Sequence, residues 1–165
     1  MYQRIVLAYD GTREGRAALR EGSLLAKTCG AEVFLLSVLA QSAGAQIGES
    51  ALPSGSQAGH AAYEAILEEG VERLRTLGFT PQALLVQGEP ARVIAAFARD
   101  VGADLVVVGH KHKGAVARWW SGSTGAYLLD HLGCSLLVGR DTLTDAQFEA
   151  AMARLGIVRV EPAPT

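Results

Sequence analysis

The sequence predicts an α/β fold: a five-stranded parallel sheet with helices on both faces, followed by a C-terminal helical extension. Three observations predict it. Five short apolar runs are separated by four longer stretches with helical spacing. The runs carry apolar residues on successive positions instead of alternating with polar ones, as strands covered on both faces do. Glycine, proline or Asp-Gly punctuates the changes from one kind of segment to the next. Strands that alternate with helices require right-handed crossovers, and so a parallel sheet.

The first strand is RIVLAY, Arg4–Tyr9, ended by the turn pair Asp10-Gly11. The first helix covers Thr12–Thr28, with Thr12 as N-cap and Gly30 as C-terminal stop. Ala31–Ala40 is the second strand. Gln41–Gly59, rich in Gly, Ser, Ala and Gln, reads as a long mobile loop that could lid a crevice. His60–Leu77 is the second helix, with Ala62, Ile66, Leu67, Val71 and Leu74 inward and Glu68, Glu69 and Glu72 toward water. Pro81–Gly88 is the third strand, and Pro90–Val101 the third helix, with Val93, Ile94 and Phe97 inward. Ala103–Gly109 is the fourth strand, Gly122–Leu132 the fourth helix and Cys134–Arg140 the fifth strand.

Residues 1–140 therefore form one α/β domain, and 141–165 an extension. Thr144 and Gln147 have capping-box spacing, and Phe148, Ala151, Met152 and Leu155 then fall on one face of an amphipathic helix. That helix can pack on the domain or on a second subunit. Ile157–Val160 could add an edge strand, and the last five residues read as frayed.

Bulk properties exclude several functions. A net charge of −2 argues against nucleic acid or an anionic membrane as partner. No apolar run approaches the ~20 residues that span a bilayer. The start has no secretory h-region, and two cysteines, Cys29 and Cys134, read as small buried hydrophobes in a reducing compartment. A cytoplasmic protein is the expectation.

Open parallel sheets bind ligands beyond the carboxyl ends of their strands, where strand order reverses. With the order 3-2-1-4-5, the reversal lies between the first and fourth strands. Asp10 would then face the stretch Gly109-His110-Lys111-His112 across one crevice. Ser121-Gly122-Ser123-Thr124-Gly125 starts the fourth helix, whose free N–H groups and positive dipole end favour an anion. Ordinary N-capping by Ser121 or Ser123 would use the same residues.

The pieces IVLAYDGTREGRAAL, GAEVFLLSV and ADLVVVGHKHKG…WWSGSTGAYLLDHLGCSLLVGR resemble the universal stress protein family over about residues 2–140. The resemblance implies a flavodoxin-like, Rossmann-like sheet of order 3-2-1-4-5 and a homodimer paired through the last strand. One branch of the family binds ATP through Gly-x-x-Gly, nine residues, then Gly-Ser/Thr; the other lacks the pattern. Here Gly109 and Gly122-Ser123 match, nine residues lie between Lys113 and Ser121 inclusive, and His112 stands where the second glycine belongs. Gly125 stands where binders often carry a hydroxyl, and Thr124 could substitute. The resemblance places adenine near Ala8, Tyr9, Asp10 and Val38, with Asp10 accepting a hydrogen bond, and ribose over Val108 and Gly109. His110 and His112 would lie near the phosphates.

The reading this supports is a signalling or sensing protein that binds ATP or AMP, with or without magnesium. The alternative is a dimer without a cofactor that contacts an unknown protein partner, to which Trp119-Trp120 could contribute a surface. A metal on His110 and His112 lacks evident third and fourth ligands. Asp10 as a catalytic base lacks a second group, and a turn role for its carboxylate fits as well. At most, slow nucleotide hydrolysis is expected.

Overall fold

The computed structural model describes residues 1–40, 57–110 and 123–157. Its elements are β1 (Arg4–Ala8), α1 (Arg13–Cys29), β2 (Glu32–Ala40), α2 (Gln57–Thr76), β3 (Gln82–Gly88), α3 (Pro90–Asp100), β4 (Leu105–Gly109), α4 (Ser123–His131), β5 (Ser135–Gly139) and α5 (Asp145–Arg154). The five strands form one sheet of order β3-β2-β1-β4-β5, parallel throughout. This is the flavodoxin-like arrangement expected, with order reversing between β1 and β4.

Alternate residues of each strand feed two cores, one on each face of the sheet. Ile5, Leu7 and Tyr9 join Leu19 and Ala26 of α1 and Val71 and Leu74 of α2. Val6 joins Leu36, Val106 and Val108 under Ile94 and Ala98 of α3 and Leu128 of α4. The inner strands β1, β2 and β4 are buried along nearly their whole length. The edge strands β3 and β5 are more exposed, because each has a neighbour on one side only among the described residues.

Local chemistry sets the helix ends. Thr12 caps α1 by accepting from the Gly15 N–H, and Gly30 closes it in the left-handed conformation at φ 64°. The Glu89 carboxylate caps α3 through the N–H groups of Ala91 and Arg92, with Pro90 in the first turn. Thr144 and Gln147 form the expected capping box at α5.

Two expectations are corrected. α2 begins at Gln57, so the stretch expected as a loop to Gly59 is helical in its last three residues. Gln57 and Ala58 are good helix formers and sustain the extension despite Gly59. Glu69, expected toward water, is partly buried and joined to Arg16 and Arg73. The remainder of the loop, residues 41–56, lies outside the described residues, as do Trp119, Trp120 and residues 158–165 of the expected edge strand and tail. No described helix is long and apolar enough to cross a membrane.

α5 packs on the domain. Phe148 and Met152 bury against Leu77, with Leu24, Phe79 and Ile157 around them. The Arg20 guanidinium lies 4.5 Å from the Phe148 ring centroid and also pairs with Asp145. Removing this aromatic anchor should loosen α5 selectively. Phe148→Ala is expected to speed amide exchange across residues 145–157 while the β1, β2 and β4 amides keep their protection, as hydrogen-exchange mass spectrometry would read.

Candidate functional site

The site begins where β1 ends. Gly11 takes φ +70°, a left-handed conformation that favours glycine, and so turns the chain from β1 into α1. Asp10 stabilises this turn. Its Oδ1 accepts from the Thr12 N–H and from the Thr12 hydroxyl, while the Thr12 hydroxyl oxygen accepts from Gly15. The turn role set beside a catalytic one is thus present in the structure. The Tyr9 carbonyl accepts from the buried Ser37 hydroxyl, and its N–H donates to the Leu36 carbonyl, which ties the end of β1 to β2.

β4 ends against α1. A Cβ at Gly109 would lie 2.7 Å from the backbone carbonyl of Glu14, and one at Gly139 would lie 2.7 Å from the Ala18 Cα. Backbone therefore meets backbone at both strand ends.

Around this junction lies a cavity of about 440 Å³, counting its open mouth. Ala8, Tyr9, Asp10, Val38, Val108 and Gly109, all expected at the site, line it together with Thr12, Leu36 and Ile94. Leu36, Val38, Ile94 and Val108 make an apolar wall from the α3/α4 core. Tyr9 belongs to the opposite core, so its ring packs away from that wall.

The other expected residues are placed differently. His110 lines a second, polar cavity with Arg13, Glu14, Arg140, Asp141 and Thr142. Ser123 and Thr124 form the start of α4, and Gly125 is buried in its first turn. His112 and Gly122 lie outside the described residues, and with them two positions of the glycine pattern.

Sequence reasoning missed Leu36, although it shares a strand face with Val38 and could have been found by alternation. Thr12 and Ile94 were recognised only as a cap and a core residue. Tyr63 gave no signal. Burial raises its phenol pKa, and the nearby Asp10 carboxylate raises it further. Below the cavity, Arg16 makes a two-pronged ion pair with Glu69, and Arg73 adds a second cation. Arg16 foremost, opposed by burial and helped by Arg73, holds the Glu69 carboxyl down at about 2. Burial, with the Glu69 charge, raises the Tyr9 phenol above its ordinary value.

The model of the universal stress protein family matches residues 1–140. The chain belongs to the universal stress protein family. A family member from Thermus aquaticus is 30% identical over 149 residues, covering 85% of this chain and all of that protein. Among solved structures, a universal stress protein in complex with cAMP superposes with TM-score 0.62 at 24% identity, covering 84% of this chain and 96% of the other. One from Archaeoglobus fulgidus in complex with dAMP gives TM-score 0.62 at 20% identity, covering 84% and 98%. These distant structural relatives share the universal stress protein fold.

Two outcomes follow for the site's framework. Gly109→Ala forces a methyl into the Glu14 backbone and should destabilise the protein by about 1–3 kcal/mol in urea denaturation. Glu69 has its folded pKa below the ordinary 4.5, so its ion pair stabilises above that value and is lost as pH falls toward about 2. The stability gap between the parent and Glu69→Gln should hold at pH 7 and close between pH 4.5 and 2.

Proposed function

We propose that this universal stress protein binds an adenine nucleotide, AMP or ATP, in the crevice between β1 and β4 and acts in signalling or sensing. The observation that carries the reading is the cavity at the strand-order reversal, where apolar side chains and the polar Asp10-Thr12 turn share one opening. Val38, Leu36, Ile94 and Val108 suit the faces of a purine. Asp10 suits its exocyclic amine, and the backbone at Gly109 suits the ribose. The relatives in complex with cAMP and dAMP support adenine as the base. The domain over 1–140 would hold the ligand in the cytoplasm, with or without magnesium. The assembly in this reading is a homodimer joined through β5, an edge strand whose Leu136, Leu137 and Val138 remain half-buried.

A second reading is a nucleotide-free dimer that contacts another protein, suggested by His112 standing in the place of the second glycine. Calorimetry at high protein concentration separates the two. Heat on titration with ATP or AMP, together with a raised melting temperature, is expected. Absence of both signals for ATP, ADP and AMP overturns nucleotide binding. A gain of ATP binding only in His112→Gly would favour the second reading. Sedimentation equilibrium should return twice the 17.3 kDa chain mass, and a single-chain mass would overturn the dimer.

A further inference from the structure

The C-terminal extension rests on a surface suited to hold a helix. Arg13, Arg20 and Lys27 recur every seven residues along α1, so they form a cationic stripe on one side of it. α5 and its lead-in carry Asp141, Asp145 and Glu149 against a single guanidinium, Arg154. The two sets of charges meet. Arg13 Nε donates to Asp141 Oδ2, and Arg20 Nη1 donates to Asp145 Oδ1 at 2.8 Å. Leu24, Leu77 and Phe79 supply an apolar floor that takes Phe148 and Met152.

The hold on α5 is slight. Of its ten residues, Phe148 and Met152 alone are buried. A helix this short is marginal without packing. The Arg13 side chain is 83% exposed and that of Asp145 93%, so water screens both ion pairs. Arg20 is also incompletely matched. Among the described residues its buried Nε has no hydrogen-bond partner, and its Nη2 reaches the Thr144 carbonyl at 3.4 Å. Arg16, one turn earlier on the same helix, shows the fuller arrangement: Glu69 takes both its Nε and its Nη2. The seat on α1 thus has room for more carboxylate than α5 supplies.

We propose that this seat is a docking site for an acidic amphipathic helix of a protein partner, and that α5 occupies it in cis until the partner displaces it. The occupant carries carboxylates in its first turn and a large apolar pair four residues apart, the pattern of Asp145, Phe148 and Met152. The stripe selects it by charge, and the floor selects it by its apolar face. α5 sets a threshold, because a partner binds only the fraction of chains whose seat is open. Nothing in this depends on a bound nucleotide.

The test uses the full chain and a labelled synthetic peptide of residues 141–157 as the probe, read by fluorescence anisotropy. Phe148→Ala and Met152→Ala each weaken the cis contact and open the seat. Both variants are expected to bind the peptide at least about tenfold more tightly than the parent chain, whose own α5 competes. Adding Arg20→Gln to either variant should cancel that gain, as should Asp141→Asn with Asp145→Asn in the peptide. Raised salt should weaken the binding. No peptide binding to either opened variant overturns the docking site. So does binding that matches the parent's or that ignores Arg20→Gln. A parent chain whose mass climbs past the dimer with concentration, and falls back when the peptide is added, assigns the seat to α5 of a second copy and overturns the partner helix.

Discussion

The close approach of α1 to the ends of β4 and β5 is the constraint on which the rest of the structure depends. Gly109 and Gly139 present no side chain where the helix backbone passes. The helix answers with small residues of its own: Gly15, Ala18, Gly22 and Ala26 are all buried. A Cβ at Gly22 would meet Leu7 at 2.5 Å, so the contact continues down the sheet. With α1 seated this low, the turn from β1 has little room. Asp10 folds onto Thr12, and a Cβ at Gly15 would lie 2.4 Å from the Asp10 Oδ1. The seam between β4 and α1 then divides two unlike cavities, one walled by the core and one lined by charge.

Beneath the seam, the polar network on the α1/α2 face serves position more than chemistry. Glu69 reaches from α2 to Arg16 on α1 and back to Arg73 on its own helix. Gly70 beside it lets α2 lie against the Tyr9 ring, where a Cβ would come within 2.8 Å. Tyr9 thereby anchors the end of β1 from one face while its backbone helps line the cavity on the other.

The alternation of strands and helices and the caps at Thr12, Gly30 and Thr144 were legible in the sequence because each rests on local signals, whereas the strand order followed from resemblance. Val38 and Val108 were named from resemblance, and the structure places both on the cavity wall. What was not legible depends on tertiary approach. Gly109 reads as a ribose floor in the sequence, yet the structure also gives it a packing duty against Glu14 that no neighbouring residue announces. Glu69 sits on a helix face that periodicity assigns to water, and Arg16, 53 residues earlier, recruits it. The polar cavity draws Arg13, His110, Arg140 and Asp141 from segments far apart in the chain, so no spacing could reveal it.

The apolar wall of the first cavity has one more consequence. Leu36, Val38, Ile94 and Val108 are core residues before they are anything else, shared between α3 and the sheet. A planar molecule resting on them would act as a missing piece of the protein's interior. Its burial would lower the heat capacity of the complex, as apolar burial does. Its dissociation would leave α3 with less to pack against. In that case ligand occupancy and the packing of α3 on the sheet would be coupled.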